Sequence, residues 1–164
     1  MFRCVPARLI GLLSLSLWLS ACASAPELTS FGNTVSPEIN TAVEMPENEN
    51  LVPTAQAQFR AGNYGKAAQL YLKATELFPN SAEAWLGLAA SFDRLRRFDE
   101  AGKAYARLYK LIGGSATYYN NVGYSYLLRG DLKQARENLM RAYDLDPDNV
   151  AVRNNLALLT KATR

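Results

Sequence analysis

Four sets of apolar residues recur in this chain at a spacing of 34: Ala67, Ala101 and Ala135; Ala74, Leu108 and Ala142; Leu77, Leu111 and Leu145; and Ala55, Ala89, Gly123 and Ala157. A sustained period of 34 is the length of one helical hairpin, and such a unit cannot bury its apolar face alone. The units must stack into a solenoid, so the fold is set before any single side chain is interpreted.

The bulky positions keep the same register: Trp85 with Tyr119; Leu88 with Val122 and Leu156; Phe92 with Tyr126; and Tyr71 with Tyr105 and Leu139. Pro79 and Pro147 close two units, and Gly113 takes their slot in the third. These residues resemble the tetratricopeptide repeat (TPR) pattern of Trp-x2-Leu-Gly-x2-Tyr, then Ala, an aromatic or Leu, Ala and Pro. Three units follow, Asn48 to Ser81, Ala82 to Ser115 and Ala116 to Asn149, with Val150 to Arg164 repeating only a first helix as a cap. The expected fold is therefore all-α: a TPR solenoid of about three helix-turn-helix repeats over residues 51–164, preceded by a disordered linker.

Local chemistry agrees. Tyr119, Val122, Gly123 and Tyr126 fall on one helix face, Gly130-Asp131 breaks the run, and Ala135, Leu139 and Ala142 form the stripe of the next helix. Gly123 and Ala135 let two helix axes approach where a Leu would hold them apart. Ser115 and Asp148 stand where N-caps are needed, Gly62-Asn63 and Gly113-Gly114 supply turns, and Pro53 predicts a delayed start for the first helix.

The other end of the chain bears on location. Met1 to Arg8 carries Arg3 and Arg8 and no acid, Leu9 to Leu19 is a short apolar run, and Leu19-Ser20-Ala21-Cys22 follows. The last four residues resemble a bacterial lipobox, which implies cleavage after residue 21 and attachment of lipid to Cys22. The alternative is an ordinary secretory leader cut at an Ala-x-Ala site among Ala21, Ala23 and Ala25. The apolar run falls short of the ~20 residues that a membrane span requires, whereas two or more acyl chains anchor stably. Ala23 after the cysteine resembles the sorting pattern of outer-membrane lipoproteins, so the expected location is the outer membrane, facing the periplasm. The mature chain would then hold no free thiol, since Cys4 leaves with the leader and Cys22 carries lipid.

From Ala23 to Asn50 the chain holds Glu27, Glu38, Glu44, Glu47 and Glu49, no Lys or Arg, and Pro26, Pro37 and Pro46. That composition argues for a disordered spacer, spanning about 30 Å as a flexible coil. Residues 51–164 hold sixteen Lys and Arg against ten Asp and Glu, a formal charge of +6, densest at Arg94, Arg96 and Arg97. In a periplasmic setting this favours acidic protein surfaces or lipid phosphates over nucleic acid, and a solvated turn is the plainer account of the cluster.

Catalysis finds little to use. The chain has no His and no Gly-rich phosphate loop, and Asp144, Asp146 and Asp148 lack the glycine and closing glutamate of a calcium loop. No enzyme activity, cofactor or metal is expected, which leaves binding. In a stack of hairpins the first helices line the concave side. Asn120-Asn121 and Asn154-Asn155 recur there at 34, and Asn121 and Asn155 are candidates to hold the backbone of an extended peptide. Tyr124 and Leu128 would supply a floor, with Arg60, Leu86 and Arg94 as secondary contacts nearer the other end. The competing account is that these asparagines bond neighbouring turns. The lysines with which chaperone-type TPR clamps hold a terminal carboxylate are missing from the first-helix slots.

A narrower resemblance covers about Thr117 to Leu159. The run Asn120-Asn121-Val122-Gly123-Tyr124-Ser125-Tyr126-Leu127-Leu128-Arg129-Gly130-Asp131, with Asn154-Asn155-Leu156-Ala157-Leu158, is similar to the last repeats of TadD-type lipoproteins of the tight-adherence (Flp) pilus system. That resemblance implies a role in pilus or secretin assembly, with a secretin or pilus component as partner. Other outer-membrane TPR lipoproteins compete with it: type IV pilus pilotins, and adaptors that recruit peptidoglycan-remodelling enzymes.

Overall fold

The computed structural model describes residues 46–164, and among them the chain forms seven α-helices and no strand. The leader, Cys22 and most of the acidic segment lie outside the described residues. A 3-10 turn over Asn48–Asn50 leads into α1 (Leu51–Arg60), followed by α2 (Tyr64–Leu77), α3 (Ala82–Arg94) and α4 (Phe98–Ile112). Then come α5 (Ala116–Arg129), α6 (Leu132–Leu145) and α7 (Val150–Ala162). These are the three expected hairpins and the extra first helix.

Each helix packs on the next, and the first helices also touch one another in a row, α1 with α3, α3 with α5 and α5 with α7. The second helices make no comparable row of contacts, so the stack curves with its first helices inside. Small residues make the close approaches possible. A Cβ added at Gly123 would stand 2.7 Å from Leu139 Cγ and 3.1 Å from the Leu139 backbone nitrogen, so α5 and α6 meet at this spacing only because that slot is glycine.

The ends of the helices follow the sequence with one correction. Ser115 caps α5 as expected, its hydroxyl accepting from the Tyr118 amide at 3.2 Å. The cap of α7 is Asn149, not Asp148: the Asn149 side chain accepts from the amides of Ala151 and Val152, while Asp148 stands in solvent 3.6 Å from Arg153. Pro53 goes with a late start for α1: α3, α5 and α7 begin in register at Ala82, Ala116 and Val150, whereas the equivalent Asn48–Asn50 is a 3-10 turn and α1 begins only at Leu51, with Pro53 in its first turn. The first four amides of a helix have no partner within it, so a proline in the third position forfeits no hydrogen bond.

All three hairpin turns close alike, with a residue at positive φ and a hydrogen bond spanning five residues, Asn63 to Gln58, Arg97 to Phe92 and Asp131 to Tyr126. Gly62 and Gly130 take the positive φ of two turns, and Arg96, in the same slot of the middle unit, is held at φ 58°. A side chain in that conformation costs roughly 1–2 kcal/mol. Its guanidinium lies 5.2 Å from the Phe98 ring and 3.4 Å from the Leu128 carbonyl, contacts worth about 0.5 kcal/mol at an exposed site. Arg96→Gly is therefore expected to raise stability by about 0.5–1 kcal/mol in chemical denaturation. A loss instead would show that the contact to α5 outweighs the strain.

The interior divides into two clusters. The larger joins α1 to α4 through Leu51, Leu70, Leu88, Phe92, Leu108 and their neighbours, with Tyr118 and Val122 of α5 against its edge. The smaller joins α6 and α7 through Ala135, Leu139 and Leu159, with Tyr126 and Leu127 of α5 packed against it. Between them the backbones of α4 and α5 stand farther apart than those of α2 and α3, although the two junctions occupy the same place in the repeat.

Candidate functional site

The concave side holds an open pocket of about 280 Å3 between α1 and α3, lined by Gln56, Phe59, Tyr71, Glu83, Leu86, Gly87 and Ala90. Gly87 explains its depth. A Cβ there would stand 2.2 Å from the Tyr71 ring, so the tyrosine of α2 reaches through to the groove floor only past a bare backbone. Burial first, and Glu83 second, push the Tyr71 hydroxyl up to about 12, while Arg60 pulls it down. The Gln56 amide donates to the Glu83 carboxylate and ties α1 to α3 along the rim. Phe59, Leu86 and Ala90 thus offer an apolar hold beside charged groups.

The repeat period relates the candidate residues to this pocket. Leu86 lines it directly. Arg60 and Arg94 share a slot with Leu128, one repeat along each time, and Tyr124 stands in the slot of Gln56 and Ala90. Arg60 is exposed, and the Arg94 guanidinium lies 4.5 Å above the Tyr64 ring, held over the start of α2. Tyr124 and Leu128 are half-buried on α5.

The asparagines are engaged with the protein itself. Asn121 donates to the Thr117 carbonyl of its own helix at 2.8 Å, and its backbone carbonyl accepts from the Tyr105 hydroxyl at 3.4 Å. Asn155 donates to the Asn120 side chain at 2.9 Å, so the recurring pair ties α7 to α5. The basic turn is also occupied: Arg97 pairs with Glu100 and lies 4.9 Å from the Phe92 ring, and Arg96 and Arg94 have the contacts described above.

One polar centre has no counterpart in the reading of the sequence. Asp93, 3% exposed, accepts from the Tyr105 hydroxyl at 2.9 Å and the Ser125 hydroxyl at 2.6 Å. Arg129 in turn donates to Ser125 at 3.1 Å and to the Phe98 carbonyl at 3.1 Å. Burial pushes the Asp93 carboxyl up against the opposing pull of Ser125, Tyr105 and Arg129. Burial also holds the Tyr105 hydroxyl well above its ordinary range, with the Asp93 charge adding to it. The corresponding residues of the neighbouring units are Phe59 and Leu127, so a charge in an otherwise apolar slot was the available signal.

Comparison with known proteins agrees with this architecture. Two models of the tetratricopeptide repeat match residues 53–116 and 116–149, together more than half of the chain. A small glutamine-rich tetratricopeptide repeat-containing protein 2 of Mycosarcoma maydis is 27% identical over 114 residues, 70% of this chain and 32% of that protein. The yeast heat shock protein STI1 is 31% identical over 102 residues, 61% of this chain and 17% of that protein. This chain thus spans a third or less of the length of these relatives. Among solved structures, the first TPR domain of human RPAP3 superposes with a TM-score of 0.62 at 22% identity, over 71% of this chain and 91% of that one. The first TPR of Spaghetti (RPAP3), bound to the HSP90 peptide SRMEEVD, gives 0.60 at 21%, over 74% and 96%. With its register, its two matched models and this likeness of fold, the chain belongs to the tetratricopeptide repeat family, as a scaffold for protein–protein interaction.

Proposed function

We propose that this scaffold is a lipid-anchored periplasmic assembly factor that holds an extended segment of a partner in its concave groove, in the service of a tight-adherence pilus or its secretin. The observation that carries the groove reading is the pocket between α1 and α3, where Phe59, Leu86 and Ala90 form an apolar hold beside Glu83. Such a site suits a peptide with an apolar anchor. The peptide-bound relative of the same fold supports a groove that takes a short segment. The location rests on the lipobox-like Leu19-Ser20-Ala21-Cys22, and the pilus reading on the similarity of the last repeats to TadD-type lipoproteins.

Two variants test the proposal. Cys22→Ser is expected to abolish incorporation of labelled palmitate and release the protein from outer membranes. Incorporation equal to the parent's would remove the lipoprotein reading. Leu86→Arg places a charge in the apolar hold and is expected to weaken capture of the secretin from crosslinked outer membranes at least tenfold, with the circular dichroism unchanged. Undiminished capture by that variant would move the site out of this groove.

A further inference from the structure

The three hairpin turns lie side by side along one edge of the stack. Arg94, at the end of α3, stands over the Tyr64 ring at the start of α2; Arg96 of the middle turn reaches the Leu128 carbonyl near the end of α5; and Arg129, at that end, donates to the Phe98 carbonyl at the start of α4. The cap runs back to the same edge, since Leu159 near the end of α7 packs against Ala135 and Leu139 of α6. Equivalent slots of the repeat therefore build this edge: residues 58–68, 92–102 and 126–136, with 160–164 from the cap.

The charge of the domain is gathered there. These segments hold ten Lys and Arg against four Asp and Glu, while the rest of residues 51–164 holds six of each, so the edge carries the whole formal charge of +6. Three of its four acids are engaged: Asp93 is buried, Glu100 pairs with Arg97, and Asp131 caps α6 by accepting from the Gln134 amide at 3.0 Å. Eight of the ten cations are exposed, Lys66, Lys133 and Lys161 among them, and among the described residues none of the eight forms an ion pair. Like charges in a row raise the local potential, and an anionic surface laid against them relieves it.

The edge offers no apolar hold. Phe78, Tyr109, Leu145, Val150 and the other exposed large apolar side chains of the described residues all stand outside these segments. A stable protein interface centres on aromatic or aliphatic anchors and is poor in lysine. A row of exposed cations without an anchor suits a ligand that is itself a sheet of charge, as a layer of anionic phospholipid headgroups is, where each Lys or Arg gains by proximity with no insertion. The lipid anchor proposed above would hold this edge within a spacer's length of such a layer, and the choice of lipid among polyanions rests on that reading.

We propose that the hairpin-turn edge is a docking surface for anionic phospholipid headgroups, separate from the concave groove, and that it lays the domain against the membrane. The test is co-sedimentation with vesicles of phosphatidylglycerol and phosphatidylcholine in equal parts. The protein is the chain from residue 22 with Cys22→Ser, which keeps every described residue and carries no lipid, so the outcome is separate from the palmitate test of the anchor. Binding is expected at low salt, lost at high salt and at least tenfold weaker on phosphatidylcholine alone. Lys66→Gln, Lys133→Gln and Lys161→Gln together are expected to weaken it at least tenfold. Lys73→Gln, Lys110→Gln and Arg153→Gln together, an equal change of net charge away from this edge, are expected to weaken it less than threefold. If the edge variant departs from the parent's circular dichroism, its three substitutions are measured singly, with a loss of about twofold to fivefold expected for each. Equal binding to both kinds of vesicle, edge variants that bind as the parent does, or an off-edge variant that falls as far as the edge variant would each overturn the proposal. Binding of polyglutamate with no binding of vesicles would also overturn it, and would give the edge to an acidic protein partner.

Discussion

Deleting Val150 to Arg164 is expected to lower the stability of the repeat domain by roughly 3–6 kcal/mol, because α7 contributes two fully buried aliphatic side chains, Val152 and Leu159, at about 1.5–3 kcal/mol each. Leu159 closes the smaller cluster against Ala135 and Leu139, with Leu156 beside it, so the deletion leaves Leu139 facing water. The Asn120 to Asn155 bond between α5 and α7 goes as well, and with it the partner of a side chain that is only 9% exposed. In a linear stack each unit is stabilised by its neighbours alone, so the loss should fall on α5 and α6 and leave α1 to α4 largely intact. Hydrogen exchange resolved by helix is the direct measurement. Unchanged protection of α5 and α6, or a thermal midpoint equal to the parent's, would refute the assignment of α7 as the cap.

The architecture was legible because its determinants are periodic. Each of the small slots at Ala67, Ala101 and Ala135 is fully buried, and Gly123 makes the close approach to Leu139 that its size suggested. Helix ends were less legible. Asp148 and Asn149 are both competent caps, and the choice between them is one residue of turn geometry. The recurrence of Asn120 and Asn154 in one slot and Asn121 and Asn155 in the next could be seen, but not that Asn155 crosses to Asn120 while Asn121 bonds its own helix. Periodicity assigns a residue to a face and is silent on which neighbour it chooses. The most informative departures from the repeat were those where chemistry changed within a fixed slot. Tyrosines stand for Thr75, Ala84, Trp85 and Phe92 at the second junction, Arg96 stands for glycine, and Asp93 stands for a hydrophobe. All three lie in the middle unit or at its boundary with the third, where successive helices approach least closely.

Asp93→Ala is expected to lower stability by about 3–5 kcal/mol and to uncouple the third unit from the first two, since removal of one member of a buried, charge-assisted network strands the others. The carboxylate is the acceptor that α4 and α5 share: Tyr105 reaches it from one and Ser125 from the other, and Arg129 extends the chain of bonds to Phe98. Where the α4 and α5 backbones stand apart, this polar link joins the two helices through Asp93 of α3. Unfolding followed at Trp85, which reports the first two units, should therefore remain close to the parent's, while circular dichroism shows an added early transition from the third. The pH dependence gives an independent check. The folded-state carboxyl stands above its ordinary value, so ionisation of Asp93 works against the fold. Its contribution to stability improves as pH falls through that raised value and levels off below the ordinary carboxylate range. Asp93→Asn cannot ionise and retains a side-chain carbonyl to accept one of the two hydroxyls. It should lose less stability than Asp93→Ala, and the stability difference between parent and Asp93→Asn should shift in the parent's favour on acidification. A single cooperative transition in Asp93→Ala within about 1 kcal/mol of the parent, with no pH-dependent difference from Asp93→Asn, would mean that the junction is held by apolar contact after all.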